Sequence, residues 1–96
     1  MLELHKTDIY VRWLDGLRDT RARARIQARV ERLAVGNPGD VRSVGEGVSE
    51  LRIHHGPGYR VYYKKEGPKM IILLAGGIKR TQANDIKTAL RLARNL

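Results

Sequence analysis

Apolar side chains recur along this chain in two different rhythms. Leu2 and Leu4 alternate with polar neighbours, and residues 1–6 read as a short opening strand. Thr7 then stands as a helix N-cap with Asp8 behind it, and Ile9, Trp13, Leu14 and Leu17 follow at helical spacing to a break near Gly16 and Asp19. Asp19 is placed to cap a second helix, whose Ala22, Ile26, Val30 and Leu33 recur at intervals of four, four and three to make one apolar face. Gly36 ends it. Asn37-Pro38-Gly39-Asp40 and Gly45-Glu46-Gly47 carry turn chemistry, so the stretch between them reads as a connecting loop.

From there the period changes to two. Residues 48–55, 59–65 and 69–75 are three β-type runs separated by Gly56-Pro57-Gly58 and Glu66-Gly67-Pro68, which predicts an antiparallel meander. The third run is apolar throughout and is expected to be the central strand, covered on both faces. After Gly76-Gly77, Thr81 is the expected N-cap of a last helix that buries Ala83, Ile86, Leu90 and Ala93. The order is β, α, α, β, β, β, α. It predicts an α+β fold in which two N-terminal helices pack on one face of a small antiparallel sheet, with a C-terminal helix, as a single domain over residues 1–96.

A three-residue loop at Gly56-Pro57-Gly58 would pair His55 with Tyr59, His54 with Arg60, Arg52 with Tyr62 and Glu50 with Lys64. Leu51, Ile53, Tyr59, Val61 and Tyr63 then share the face beneath the helices. Glu50, Arg52, His54, Arg60, Tyr62 and Lys64 share the other, a cationic face with a phenol and an imidazole in it. Guanidinium groups suit phosphate because they offer paired planar donors and stay charged, and a tyrosine ring offers a surface on which a base can stack. Surrounding positive charge is expected to favour a neutral His54, the form a general base needs. His54 and His55 point to opposite sides and cannot hold one metal ion together, so no metal or other cofactor is expected. Arg18, Arg21, Arg25, Arg29 and Arg32, spaced three, four, four and three, form a stripe on the second helix that could meet a nucleic-acid backbone or an acidic partner.

Composition sharpens the picture. The 96 residues contain no cysteine, which excludes disulfide scaffolds, thiolate metal sites and cysteine nucleophiles. The longest apolar run, residues 70–75, is far short of the roughly 20 residues of a membrane span. The first residues lack the apolar stretch of a secretory signal, so a cytoplasmic location with no membrane partner is expected. Net charge is +9, and it is uneven: residues 1–49 hold 9 Lys and Arg against 7 Asp and Glu, residues 50–96 hold 10 against 3. A small protein this basic is matched to a polyanion, with nucleic acid first, an acidic partner protein second and an anionic membrane third.

The segment Glu50-Leu-Arg-Ile-His-His-Gly-Pro-Gly-Tyr-Arg-Val-Tyr-Tyr63 resembles the RelE/ParE superfamily of bacterial toxins, most closely the short HigB-like branch of addiction module killer, or phage-derived Gp49-like, proteins. The resemblance extends over nearly the whole chain, through Trp13-Leu14, Ala22-Arg-Ala-Arg-Ile26, Arg32-Leu33, Gly36-Asn37, Gly39-Asp40, Gly76-Gly77, Lys79, Thr81-Gln82 and Asp85-Ile86. It implies the RelE-like βααβββα fold and the toxin of a type II toxin-antitoxin pair, partnered by a small helix-turn-helix (HigA-like) antitoxin, with operator DNA met only through that antitoxin. It further implies a ribosome-dependent mRNA endonuclease, an mRNA interferase that blocks translation without a metal by turning the message's own 2′-hydroxyl on the adjacent phosphate. Carried across, Arg60 and Arg52 would bind that phosphate and Lys79 and Arg80 would stabilise its charge. Lys64 of the cationic face and Arg29 and Arg25 of the helix stripe, which the resemblance does not itself supply, are further substrate-binding candidates. The family's catalytic tyrosine or histidine near the C-terminus is replaced by Ile86 or by Asn95-Leu96, so either Tyr62 or His54 transfers the proton, or cleavage is slow and relies on Arg60 and its neighbours, or the target is another one. ParE relatives share the fold and inhibit DNA gyrase instead, so a non-catalytic gyrase inhibitor and a non-toxic co-repressor remain alternatives.

Overall fold

The computed structural model describes residues 1–96 throughout. In chain order the elements are β1 (Glu3–Lys6), α1 (Asp8–Asp15), α2 (Thr20–Ala34), β2 (Val41–Gly45), β3 (Val48–Ile53), β4 (Tyr59–Glu66), β5 (Met70–Ile78), a 3-10 turn (Lys79–Thr81) and α3 (Gln82–Arg94). No helix is long and apolar enough to cross a membrane.

Both expected N-terminal caps form. The Thr7 hydroxyl accepts from the Tyr10 N–H at 3.1 Å and donates to the Leu74 carbonyl at 2.7 Å, so one side chain starts α1 and ties it to β5. Asp19 accepts from the N–H groups of Arg21 and Ala22 and starts α2. Thr81 departs from expectation: it stands at the start of α3 but makes no capping bond, and its hydroxyl donates instead to Asp85 Oδ2 at 2.5 Å.

The five strands run in the order β1, β5, β4, β3, β2. Three sequence expectations do not hold. Residues 41–45 are not a loop but an edge strand, antiparallel to β3; exposed on most of its length, it lacks the alternation that marks a half-buried strand. β1 pairs parallel with β5, so the sheet is mixed, and β4, not β5, lies at its centre. Double coverage of β5 does hold. Ile71 and Leu73 join the core under α1 and α2, while Leu74 and Ala75 join a second cluster with Ala89 and Ala93 of α3.

A slip in the β4 and β5 pairing makes this possible. Tyr62 opposes Ala75 while Tyr63 opposes Leu73, leaving Leu74 extra. An extra residue reverses the alternation beyond it. Gly76 therefore faces α1, where a Cβ would stand 2.2 Å from the Trp13 ring, and Gly77 faces α3, where a Cβ would stand 1.8 Å from Asp85 Oδ2. The Gly-Gly pair lets both layers approach the sheet closely.

The main core lies between α1, α2 and the sheet: Tyr10, Leu14, Ala22, Ile26, Val30 and Leu33 pack on Leu51, Ile53, Tyr59, Val61 and Tyr63. The inward face of the meander is thus the one its period indicates. Its register is shifted, since Ile53 pairs with Tyr59, Arg52 with Arg60 and Glu50 with Tyr62. The connection is five residues long, not three. The shift is an even number of positions, so it moves partners without exchanging faces.

Candidate anion-binding site

The register brings Arg52 and Arg60 directly opposite each other on adjacent strands. Two cations so placed repel, and each is held by a carboxylate. Arg52 donates to Asp40 Oδ1 through Nη2 at 2.8 Å and Nε at 3.2 Å. Arg60 Nε lies 3.9 Å from Glu50 Oε2, and its Nη1 donates to the Gly58 carbonyl at 2.8 Å.

That same carbonyl accepts the backbone N–H of Lys79 at 2.8 Å, which locks the turn after β5 onto the loop between β3 and β4. Gly58 has φ +78°, and a Cβ there would come within 3.0 Å of Arg60 Nη1. Glycine is needed at this point for the turn and for the close approach alike. Lys79 and Arg80 follow in the 3-10 turn with exposed side chains.

On the other side of Arg52, His54 Nε2 lies 2.5 Å from Asp40 Oδ2. One carboxylate therefore bridges a guanidinium and an imidazole, and these two partners, the histidine foremost, hold the Asp40 carboxyl below the usual carboxylate range. Two contact sets result, Lys79 with Arg60 through the Gly58 carbonyl and Arg52 with His54 through Asp40, and the strand pairing sets them side by side. The neighbourhood of His54 is the reverse of the expected one, because its nearest ionic partner is an anion.

The expected open cationic face needs correcting at its centre. α3 covers it, so that Glu50 and Tyr62 are fully buried and the Arg60 side chain is only 10% exposed. The Tyr62 hydroxyl donates to Glu50 Oε2 at 3.0 Å, and burial, reinforced by that carboxylate, pushes its pKa well above the ordinary phenol value. A phenol so placed offers no ring face to a base and holds its proton tightly. Glu50 also accepts from Gln82 Nε2 at 2.8 Å and from Arg42 Nε at 3.1 Å, which makes it the buried hub joining β2, β3, β4 and α3.

The arginine stripe of α2 is broken as well. Arg29 is turned inward, where Nη1 donates to the Arg52 carbonyl at 2.7 Å and Nη2 to the Pro38 carbonyl at 2.9 Å, and burial lowers its pKa. It ties α2 to the chain around Asp40 and has little left to offer a ligand. Arg18 precedes the helix. Arg25 and Arg32 stay exposed and line, with Arg29, Ala28, Ile53 and His54, a groove of about 340 Å³ next to the site. Lys64 lies four residues along β4 from Arg60, where it pairs with Glu66 at 3.4 Å, and the structure does not bring it to the cluster. A more apolar hollow of about 400 Å³ beside Met1, Leu2, Leu4 and Ala34 carries Glu3 and Glu31 in place of cations and does not suit an anion.

Asp40 is the site residue that sequence reasoning missed. It lies 12 and 14 positions from its partners, at the end of a turn, and only the pairing of β2 with β3 brings it to them.

The element order and the layered mixed sheet make this a small α+β protein with a RelE-like fold. It superposes on a copper-bound mutant toxin from Helicobacter pylori with a TM-score of 0.62 at 18% identity, over 83% of this chain and 97% of that one. The particular family is given by sequence: residues 12–96 match the phage-derived Gp49-like protein family (DUF891), and the chain belongs to it. An uncharacterised protein of Haemophilus influenzae is 47% identical over 95 residues, covering 99% of this chain and 96% of its own.

Proposed function

We propose that this protein is the toxin of a type II toxin-antitoxin pair and that it cleaves messenger RNA on the ribosome. The reading rests on Gp49-like membership, the fold shared with a toxin and, above all, the clustering of Lys79, Arg60, Arg52 and His54 around one strand pair. Such a cluster suits a reaction in which negative charge gathers on a phosphate. The 2′-oxygen of the message attacks the adjacent phosphorus, the bond to the 5′-oxygen breaks, and a 2′,3′-cyclic phosphate and a free 5′-hydroxyl remain. Cations already in place stabilise that charge without rearrangement. Arg52 and the exposed edge of Arg60 orient the phosphate, and Lys79 and Arg80 meet its outer oxygens. Of the proton-transfer candidates, His54 is accessible and Tyr62 is not. A helix-turn-helix protein is the expected antitoxin.

The test is to add the purified protein to ribosomes stalled on a defined message, beside free message and an Arg60→Ala control, and to map new 5′ ends by primer extension. Cuts in the A-site codon that require the ribosome and disappear with Arg60→Ala are expected. Intact message in every lane, from a protein that still arrests growth, would overturn the nuclease reading and favour the gyrase alternative.

A further inference from the structure

We propose that Asp40 is a positioning residue that fixes His54 as the base for the 2′-hydroxyl, an inference that rests on the nuclease reading above. His54 Nε2 and Asp40 Oδ2 are 2.5 Å apart, and the other carboxylate oxygen is taken by two nitrogens of Arg52. A carboxylate bound to a guanidinium in this way is ionised and can only accept. Nε2 must therefore carry the hydrogen. In the neutral ring the lone pair is then left on Nδ1, the nitrogen that is not engaged by Asp40.

Asp40 is itself anchored. Its carbonyl accepts from the Arg52 N–H at 2.9 Å and from Arg29 Nη2 at 3.3 Å, so the backbone beneath the carboxylate is held by β3 and α2 together. The arrangement fixes two things at once: the tautomer of His54 and its separation from Arg52. His54 is otherwise unrestrained, with a side chain 76% exposed at the end of β3. A free imidazole there would spend its time in many orientations; Asp40 selects one beside the phosphate-binding arginine. In the reaction the 2′-hydroxyl proton passes to Nδ1 as the bond from oxygen to phosphorus forms. The leaving 5′-oxygen takes a proton from solvent, and the imidazolium returns its own to solvent. Asp40 gains no proton and stabilises the cation made beside it.

The experiment uses the full chain in two measurements. The first is long-range 1H–15N correlation NMR of histidine-labelled protein, with His54 assigned by its loss in His54→Gln. The second is single-turnover and steady-state cleavage of message on stalled ribosomes for the wild type, Asp40→Asn and His54→Gln. The wild type is expected to show neutral His54 protonated at Nε2, and Asp40→Asn a mixture of tautomers. Asp40→Asn should lower kcat about 10- to 100-fold with KM nearly unchanged, part of the ~10²–10⁴-fold that a positioned base supplies. His54→Gln, which leaves the Asp40 and Arg52 pair intact, should lower kcat at least as far.

Faster cleavage or tighter message binding by Asp40→Asn would overturn the proposal, because the carboxylate would then be blocking the arginine and not orienting the histidine. An unbiased tautomer in a wild type that cuts would overturn it alone. Cleavage unaffected by His54→Gln would do the same and protects the test from an Asp40→Asn variant that folds poorly. A fixed tautomer in a wild type that leaves message intact would instead bring down the nuclease reading, and the base assignment with it.

Discussion

Glu50 has no access to solvent and gathers Arg42, Tyr62, Gln82 and, at 3.9 Å, Arg60 around one carboxylate. Removing one partner of a buried pair leaves the other charge without compensation, which costs about 3–5 kcal/mol. Glu50→Ala is expected to lose stability of that order in urea unfolding, since it strands Arg60, whose Nε is already buried without a hydrogen-bond partner. Tyr62→Phe removes one hydrogen bond to the same carboxylate and leaves the ring in place, so its loss is expected to be smaller, about 1–3 kcal/mol. Because Tyr62 is sealed beneath α3, Tyr62→Phe should also keep its ribosome-dependent cleavage. Loss of cleavage in a folded Tyr62→Phe protein would show that the phenol reaches the message after all. The two variants separate what Glu50 does for the fold from what the exposed edge of Arg60 does for a phosphate.

Among the elements, caps and periods were legible in the sequence because they are local. Thr7 and Asp19 start the helices expected of them, and Leu51, Ile53, Tyr59, Val61 and Tyr63 face the core expected of them. What escaped depends on contacts far apart in the chain. Nothing local says that α3 folds over Glu50 and Tyr62, that β1 joins β5 in parallel, or that Val41–Gly45 finds an edge to pair with. The extra residue at Leu74 is equally silent, yet it decides which way Gly76 points. Gly76→Ala is therefore a sharp test: its methyl would meet the Trp13 ring, and overpacking of this kind costs about 1–3 kcal/mol. Urea unfolding should show the loss, and the fluorescence of Trp13, the chain's one tryptophan, should shift to the red.

The start of α2 carries an expectation in pH. Asp19 is held below its ordinary value of 3.8, first by the Ala22 N–H and then by His55, whose Nε2 lies 3.2 Å from Oδ2. A carboxyl whose folded pKa is depressed adds stability that is fully present above the unfolded value and is lost as pH falls through the folded one. Asp40 is depressed in the same sense by His54 and Arg52. Stability should accordingly hold from neutrality down to about pH 4 and fall below it. Asp19→Asn, which keeps a capping oxygen, should flatten that acid limb in pH-dependent thermal unfolding. An acid limb left unaltered by Asp19→Asn would place the responsible carboxyls elsewhere.

At the scale of the whole molecule, the +9 charge is not spread evenly over usable groups. Asp40, Glu46, Glu50 and Glu66 each hold an Arg or Lys, whereas Arg21, Arg25, Arg32, Lys79, Arg80, Lys87 and Arg91 form no ion pair. Lys6, Arg12, Arg18, Lys65 and Lys69 are unpaired too, but they stand singly on other elements, whereas α2 and the 3-10 turn with α3 hold the larger groups. Two arginines make the distinction measurable. Arg80 is exposed and unpaired beside Lys79; Arg94 is exposed too, but Glu46 grips it through Nε at 2.8 Å and Nη2 at 2.6 Å. Each contact to a phosphate in single-stranded RNA contributes about 0.7 to the slope of log affinity against log salt. For a short single-stranded RNA, Arg80→Gln is expected to lower that slope by about 0.7. Arg94→Gln, which changes net charge by the same amount, should leave it nearly as it was. Equal losses in the two variants would mean that RNA senses only the total charge of the protein, and the Lys79 and Arg80 turn would lose its standing as a place where a phosphate binds.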